Sequence, residues 1–158
     1  MVNTDGTIQR LLELGIAMPT PPRPLGAYKP VIQTACMTYI SMQGPNIDGK
    51  PIHTGLLGRD LTIESGQAPA RICVINALAQ LNAHLGGLDR ISQIVALDGY
   101  VACTEDFTNH PQVLDAASEL LVDIFKDRAG QVRSVCGVRN LPGNVPVALA
   151  LSVELMST

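Results

Sequence analysis

Hydrophobic residues recur along this chain at two periods, and the switches between them mark out the elements. The clearest helical stretch is HPQVLDAASELLVDIF. There Val113, Ala116, Ala117, Leu120, Leu121 and Ile124 fall at i, i+3, i+4, i+7, i+8 and i+11, one face of a 3.6-residue repeat. Asp115, Glu119 and Asp123 form an acidic row on its flank, which reads most simply as a solvated face. Upstream, ARICVINALAQLNAHLGG gathers Ile72, Ile75 and Ala79, with Leu78, Leu81 and Leu85 nearby. Ser65 is placed to cap the start of that helix, and Gly86 to supply its left-handed end. A short leading helix carries Ile8, Leu11, Leu12 and Ile16 as an apolar stripe, with Thr4 or Asp5 as its cap.

Between these stretches the pattern turns β-branched. VIQTACMTYISMQGP reads as a β-hairpin, and ISQIVALDGYVAC as a central strand. RSVCGVRN, LPGN and VPVALALSVEL read as two strands around a turn. The proline-rich AMPTPPRPLGAYKP cannot continue a helix, so it should run extended over the surface. The order is βαβ-like twice with a hairpin at either end, which predicts an α+β sandwich with helices on one face of a mixed sheet. The last strand is apolar at nearly every position from Val145 to Leu151, so both its faces call for burial. A domain this small has nothing left to cover the second face, and self-association is the expected answer.

Composition narrows the function classes. A chain of 158 residues that is 46% hydrophobic fits one domain and one core. No apolar run approaches the ~18 residues of a membrane span. The N-terminus lacks the basic start and solid apolar stretch of a secretory signal, so a cytoplasmic location is expected. With a net charge of −3 and no basic stripe, nucleic acid is not an expected partner. Cys36, Cys73, Cys103 and Cys136 lie among apolar neighbours without a CxxC spacing and read as buried free thiols. His53, His84 and His110 show no metal-ligand spacing. Neither a metal nor a cofactor is expected.

Taken together, LGAYKP, YISMQGP, VINALAQL, VALDGYVACTEDF and VRSVCGVRNLPGNVPVALA resemble the Rid family of imine/enamine deaminases, also called the YjgF family. The likeness runs from about Pro24 to the C-terminus. It divides the chain into an N-terminal helix with a Pro-rich extension (1–23) and a Rid-like domain (24–158). The implied fold is chorismate-mutase-like, of the bacillus type: a sheet packed against two main helices, assembled as a homotrimer with a sheet barrel inside. Ligand clefts would then lie between subunits. The resemblance makes Arg133 the anchor of a small carboxylate-bearing metabolite, a role suited to a permanently charged planar donor fork. It makes the backbone N–H of Val135 a second donor, and Tyr28, Ser41 and Asp115 ligand neighbours. Ala27 stands where the family has a proline before the tyrosine, and Met42 where it has a glycine after the serine. By its own surroundings Ser41 is a strand residue, with no nucleophile elbow around it.

One departure bears on activity. Counting from Arg133 through Leu141 and Pro142, Ala148 occupies the position of the family glutamate that holds the attacking water. Glu154, six residues on, is roughly 20 Å away along a strand. No catalytic residue is therefore assigned. Two functions stay open: hydrolysis of reactive imines or enamines to keto acids, and a ligand-binding or structural trimer without deaminase activity.

Overall fold

The computed structural model describes residues 6–157, so Thr4 and Asp5 lie outside the described residues. Helix α1 (Thr7–Glu13) leads, followed by strands β1 (Val31–Thr34) and β2 (Met37–Gln43) and the two-residue strands β3 (Asn46–Ile47) and β4 (Lys50–Pro51). Helix α2 (Ile63–Leu85), strand β5 (Ile91–Ala102), helix α3 (His110–Phe125) and strands β6 (Val132–Val138) and β7 (Val147–Leu155) complete the chain. The main sheet runs β1-β2-β7-β5-β6. β5 and β6 are parallel, joined through α3 as a βαβ unit, and the other neighbours are antiparallel. This is the α+β architecture expected, with α2 and α3 over one face of a mixed sheet.

Several sequence expectations need correction. β6 and β7 do not form a hairpin, because β5 lies between them and pairs with both. The connection passes over the end of β5, where Cys103 N–H donates to Val138 and Ala102 N–H to Pro146. Ser65 is not the cap of α2. Thr62 is, and Ser65 reciprocates: its N–H donates to Thr62 Oγ1 at 3.2 Å while its Oγ accepts from Thr62 N–H at 2.8 Å, a capping box. Gly86 does take the left-handed position at the far end, with φ +73°.

The stripe on α1 is not a packed face either. Leu11 is buried, but Ile8 and Leu12 are exposed. Besides Leu11, the helix is fastened by polar contacts. Asp89 accepts from the Thr7 N–H at 2.7 Å and from its hydroxyl at 2.8 Å, and Arg10 donates to the Ile124 carbonyl at 2.6 Å. The stripe on α3 holds: all six of its apolar residues are buried. α3 comes close to β5 because Gly99 has no side chain; a Cβ there would collide with Leu114.

The cysteines divide. Cys73 is buried and Cys103 partly so, whereas Cys36 and Cys136 are exposed and all four are free thiols. Cys36 sits in the turn between β1 and β2, and Cys136 points to the sheet face that no helix covers.

Candidate functional site

Register decides what can meet at a site. Across the helix-covered face, one row of paired residues runs Val31, Ile40, Leu151, Leu97, Arg133. The first four are buried aliphatics. Arg133 ends the row on the outer strand β6, where its stem can lie against the core while the guanidinium emerges at the rim. Its Nη1 donates to Asp115 Oδ1 at 2.8 Å and to Ser118 Oγ at 3.2 Å, both on α3. The Arg133 side chain keeps 25% of its exposure and Asp115 keeps 48%, so solvent and a small ligand can reach the pair.

Asp115 is thus a partner of Arg133, and the acidic row of α3 is not uniformly a solvated face. Ser118 went unnoticed in the sequence. The signal that could have found it is spacing, since i and i+3 share a helix face and Asp115 was already singled out. Val135 lies two residues along β6 on the same covered side, ending the row Gln43, Leu149, Gly99, Val135. β6 has a strand neighbour on one side only.

Tyr28 and Ser41 lie elsewhere. Tyr28 is half-exposed in the bend before β1, where its hydroxyl accepts from the Leu25 N–H at 3.2 Å. Ser41 is on β2, its N–H donating to Pro30 and its hydroxyl taking a 3.4 Å hydrogen bond from Gln43. β2 and β6 are three strand spacings apart, about 14 Å. One chain therefore carries the five candidates toward two opposite sides of the sheet: Arg133 and Val135 on the β6 edge with Asp115 above them on α3, Tyr28 and Ser41 on the β1–β2 side.

Ala148 is set apart again. Its row is Ala148, Tyr100, Cys136, on the face opposite Arg133. It is nonetheless buried, because Leu141, Val145 and Ala102 close over it. Among the described residues, no group of three or more His, Cys, Asp or Glu could hold a metal ion. No helix among them is long and apolar enough to cross a membrane.

Sequence and fold both coincide with one family. Residues 8–155 match the family model described as "YjgF/chorismate_mutase-like, putative endoribonuclease". The chain belongs to the YjgF/chorismate-mutase-like family. A relative, protein TCP17 of Trypanosoma cruzi, is 34% identical over 146 residues, covering 92% of this chain and 91% of that one. A crystal structure described as that of "a putative endoribonuclease" from Shewanella oneidensis is 33% identical, with a TM-score of 0.92 over 95% of this chain and 99% of that one. E. coli TdcF, solved with bound serine, is 17% identical with a TM-score of 0.63 over 89% of this chain and 96% of that one, a likeness of fold. This sheet and helix arrangement is thus shared by structures between 17% and 33% identical to the chain.

Proposed function

We propose that this YjgF-family chain binds a small carboxylate-bearing metabolite at Arg133, in a cleft that a second copy completes within a homotrimer. The observation that carries the reading is the state of the guanidinium. Both of its recorded hydrogen bonds leave from Nη1, toward Asp115 and Ser118. Nε and Nη2 make none among the described residues, and together they are the edge that accepts a carboxylate bidentately. Asp115 and Ser118 then hold the arginine in place rather than touch the ligand. The serine of the TdcF structure belongs to that protein; the ligand class proposed here rests on Arg133.

The split of candidates between two sides of the sheet supports a shared cleft. A ring of copies, each setting its β1–β2 side beside the β6 edge of the next, brings Tyr28 and Ser41 of one toward Arg133 and Val135 of another. Ala148 favours binding without catalysis over imine hydrolysis. It offers no lone pair to orient water, and its side chain lies under Leu141 and Val145. RNA cleavage is not proposed: the net charge is −3, and His53, His84 and His110 belong to different segments of the fold.

Calorimetry with 2-oxobutanoate as the probe tests this. Arg133→Ala should weaken binding by about 1.5–3 kcal/mol, the scale of a charge-assisted hydrogen bond. Arg133→Lys should recover only part, since an ammonium lacks the fork. Equal affinity in wild type and Arg133→Ala would place the anchor elsewhere.

A further inference from the structure

A second constellation lies further along β6. Cys103 directly follows β5, its backbone fixed by the hydrogen bond from its N–H to Val138 at 3.0 Å. His110 opens α3. The thiol Sγ and the imidazole Nε2 are 3.3 Å apart. Phe107 meets the imidazole edge-on, with ring centroids 5.4 Å apart at 87°, and so limits the ring's rotation. Gly137 makes the room: a Cβ there would overlap both His110 Nε2 and Cys103 Sγ. Cys103 is partly buried, neither sealed like Cys73 nor open like Cys36 and Cys136.

We infer that Cys103 and His110 form a nucleophilic thiol–imidazole pair that captures small α,β-unsaturated carbonyl compounds by conjugate addition. Burial pushes the Cys103 thiol up, so it rests as S–H beside Nε2, which takes its hydrogen bond when the ring carries its proton on Nδ1. A thiol protonated at rest needs a base to take its proton during attack, and His110 is in place to do so. In the step, the sulfur lone pair forms a C–S bond at the β-carbon. The C=C π pair moves toward the carbonyl as an enolate. The thiol proton passes to Nε2 and from the imidazolium to the α-carbon. The S–H bond and the π bond break, C–S and C–H bonds form, and no oxidant or leaving group is needed. Arg133 lies four residues back along β6, about 13 Å at the usual strand rise. One small molecule does not span both, so this site stands or falls independently of the carboxylate site.

Labelling with limiting N-ethylmaleimide, a conjugate acceptor, followed by peptide mapping, tests the pair. Cys103 in the native protein should react faster than Cys103 in the urea-denatured chain. His110→Gln should slow it by about 10²-fold, the lower end of what positioned acid–base groups contribute, while the rates of Cys36 and Cys136 stay as they were. Gly137→Ala, whose new methyl group displaces the imidazole, should do the same with His110 still present. Native Cys103 no faster than the denatured chain overturns the inference, even if neither variant folds. So does an unchanged Cys103 rate in either folded variant.

Discussion

A shift of one residue along each strand exchanges one row of the sheet for a very different one. On the covered face stand Val31, Ile40, Leu151 and Leu97, with Arg133 closing the row at the rim. On the open face stand Ile32, Tyr39, Ser152, Ala96 and Val132, of which Ile32, Tyr39 and Val132 are 49%, 46% and 71% exposed. The first row is continuous aliphatic packing and needs no partner. The second has large apolar residues at its two ends, with Ser152 and Ala96 between them. The covered face secures the fold of one chain, while the open face leaves Ile32, Tyr39 and Val132 exposed in it.

Substitutions in the two rows should therefore separate stability from assembly. Leu97→Ala removes a fully buried side chain from the covered row and should cost about 2–5 kcal/mol in urea unfolding. Val132→Asp on the open row should change the stability of a single chain by no more than about 0.5 kcal/mol. Its effect should appear in sedimentation equilibrium instead, where the wild type is expected at three times the 16.8 kDa chain mass and the variant at less. A monomeric wild type would remove the shared cleft. Leu97→Ala and Val132→Asp with equal unfolding costs would erase the distinction between the rows.

Ala148 tests the boundary between the faces, since it points to the open side yet is only 2% exposed. Ala148→Glu would put a carboxylate under Leu141 and Val145, and should lower stability by about 1–3 kcal/mol, the usual cost of an unpaired buried polar group in proteins. Hydrolysis of 2-iminopropanoate should be slow in the wild type and gain nothing from the substitution, because Arg133 faces the other way. A faster variant would mean that assembly unites the two positions, and would restore the catalytic reading.

Counting along the sequence alone makes that same substitution look like a repair of the family site. Spacing places Arg133 and Ala148 in a motif, but faces follow from register, and register here depends on β5 lying between β6 and β7. Adjacent strands in sequence invite a hairpin, and nothing local to LPGN says otherwise. The α3 stripe was fully legible, because six apolar residues at helical spacing admit one orientation toward a core. The α1 stripe was misleading: a seven-residue helix is too short for its own pattern to dictate packing, and its contacts come from Asp89 and Ile124, far away in sequence. The start of α2 was readable only to within a turn: Thr62 and Ser65 are both capping residue types three apart, and their reciprocal hydrogen bonds put the N-cap at Thr62. Of the candidate site, the residue types were readable and the division between two sides of the sheet was not.

The last prediction concerns α1, which packs beside α3 and is held by the Asp89 and Arg10 contacts as well as by buried Leu11. Asp89→Asn keeps an acceptor for Thr7 but removes the carboxylate, and should lower the protection of α1 amides in hydrogen exchange by about 0.5–1.5 kcal/mol, the net worth of one hydrogen bond. The carboxyl of Asp89 is held below its ordinary range chiefly by the Thr7 N–H, with the Thr7 hydroxyl, Arg128 and Arg10 adding to it and burial opposing. A carboxyl depressed in the folded state contributes fully above its unfolded value, about 3.9, and loses that contribution as pH falls through the lower folded value. The protection of α1 in the wild type, corrected for intrinsic exchange, should therefore stay level from neutral pH down to about pH 4 and decline below it. Asp89→Asn should start lower and show no such decline, so that the two converge in acid. A gap that persists undiminished in acid would show that the Asp89 charge does not hold α1, leaving packing through Leu11 as its fastening.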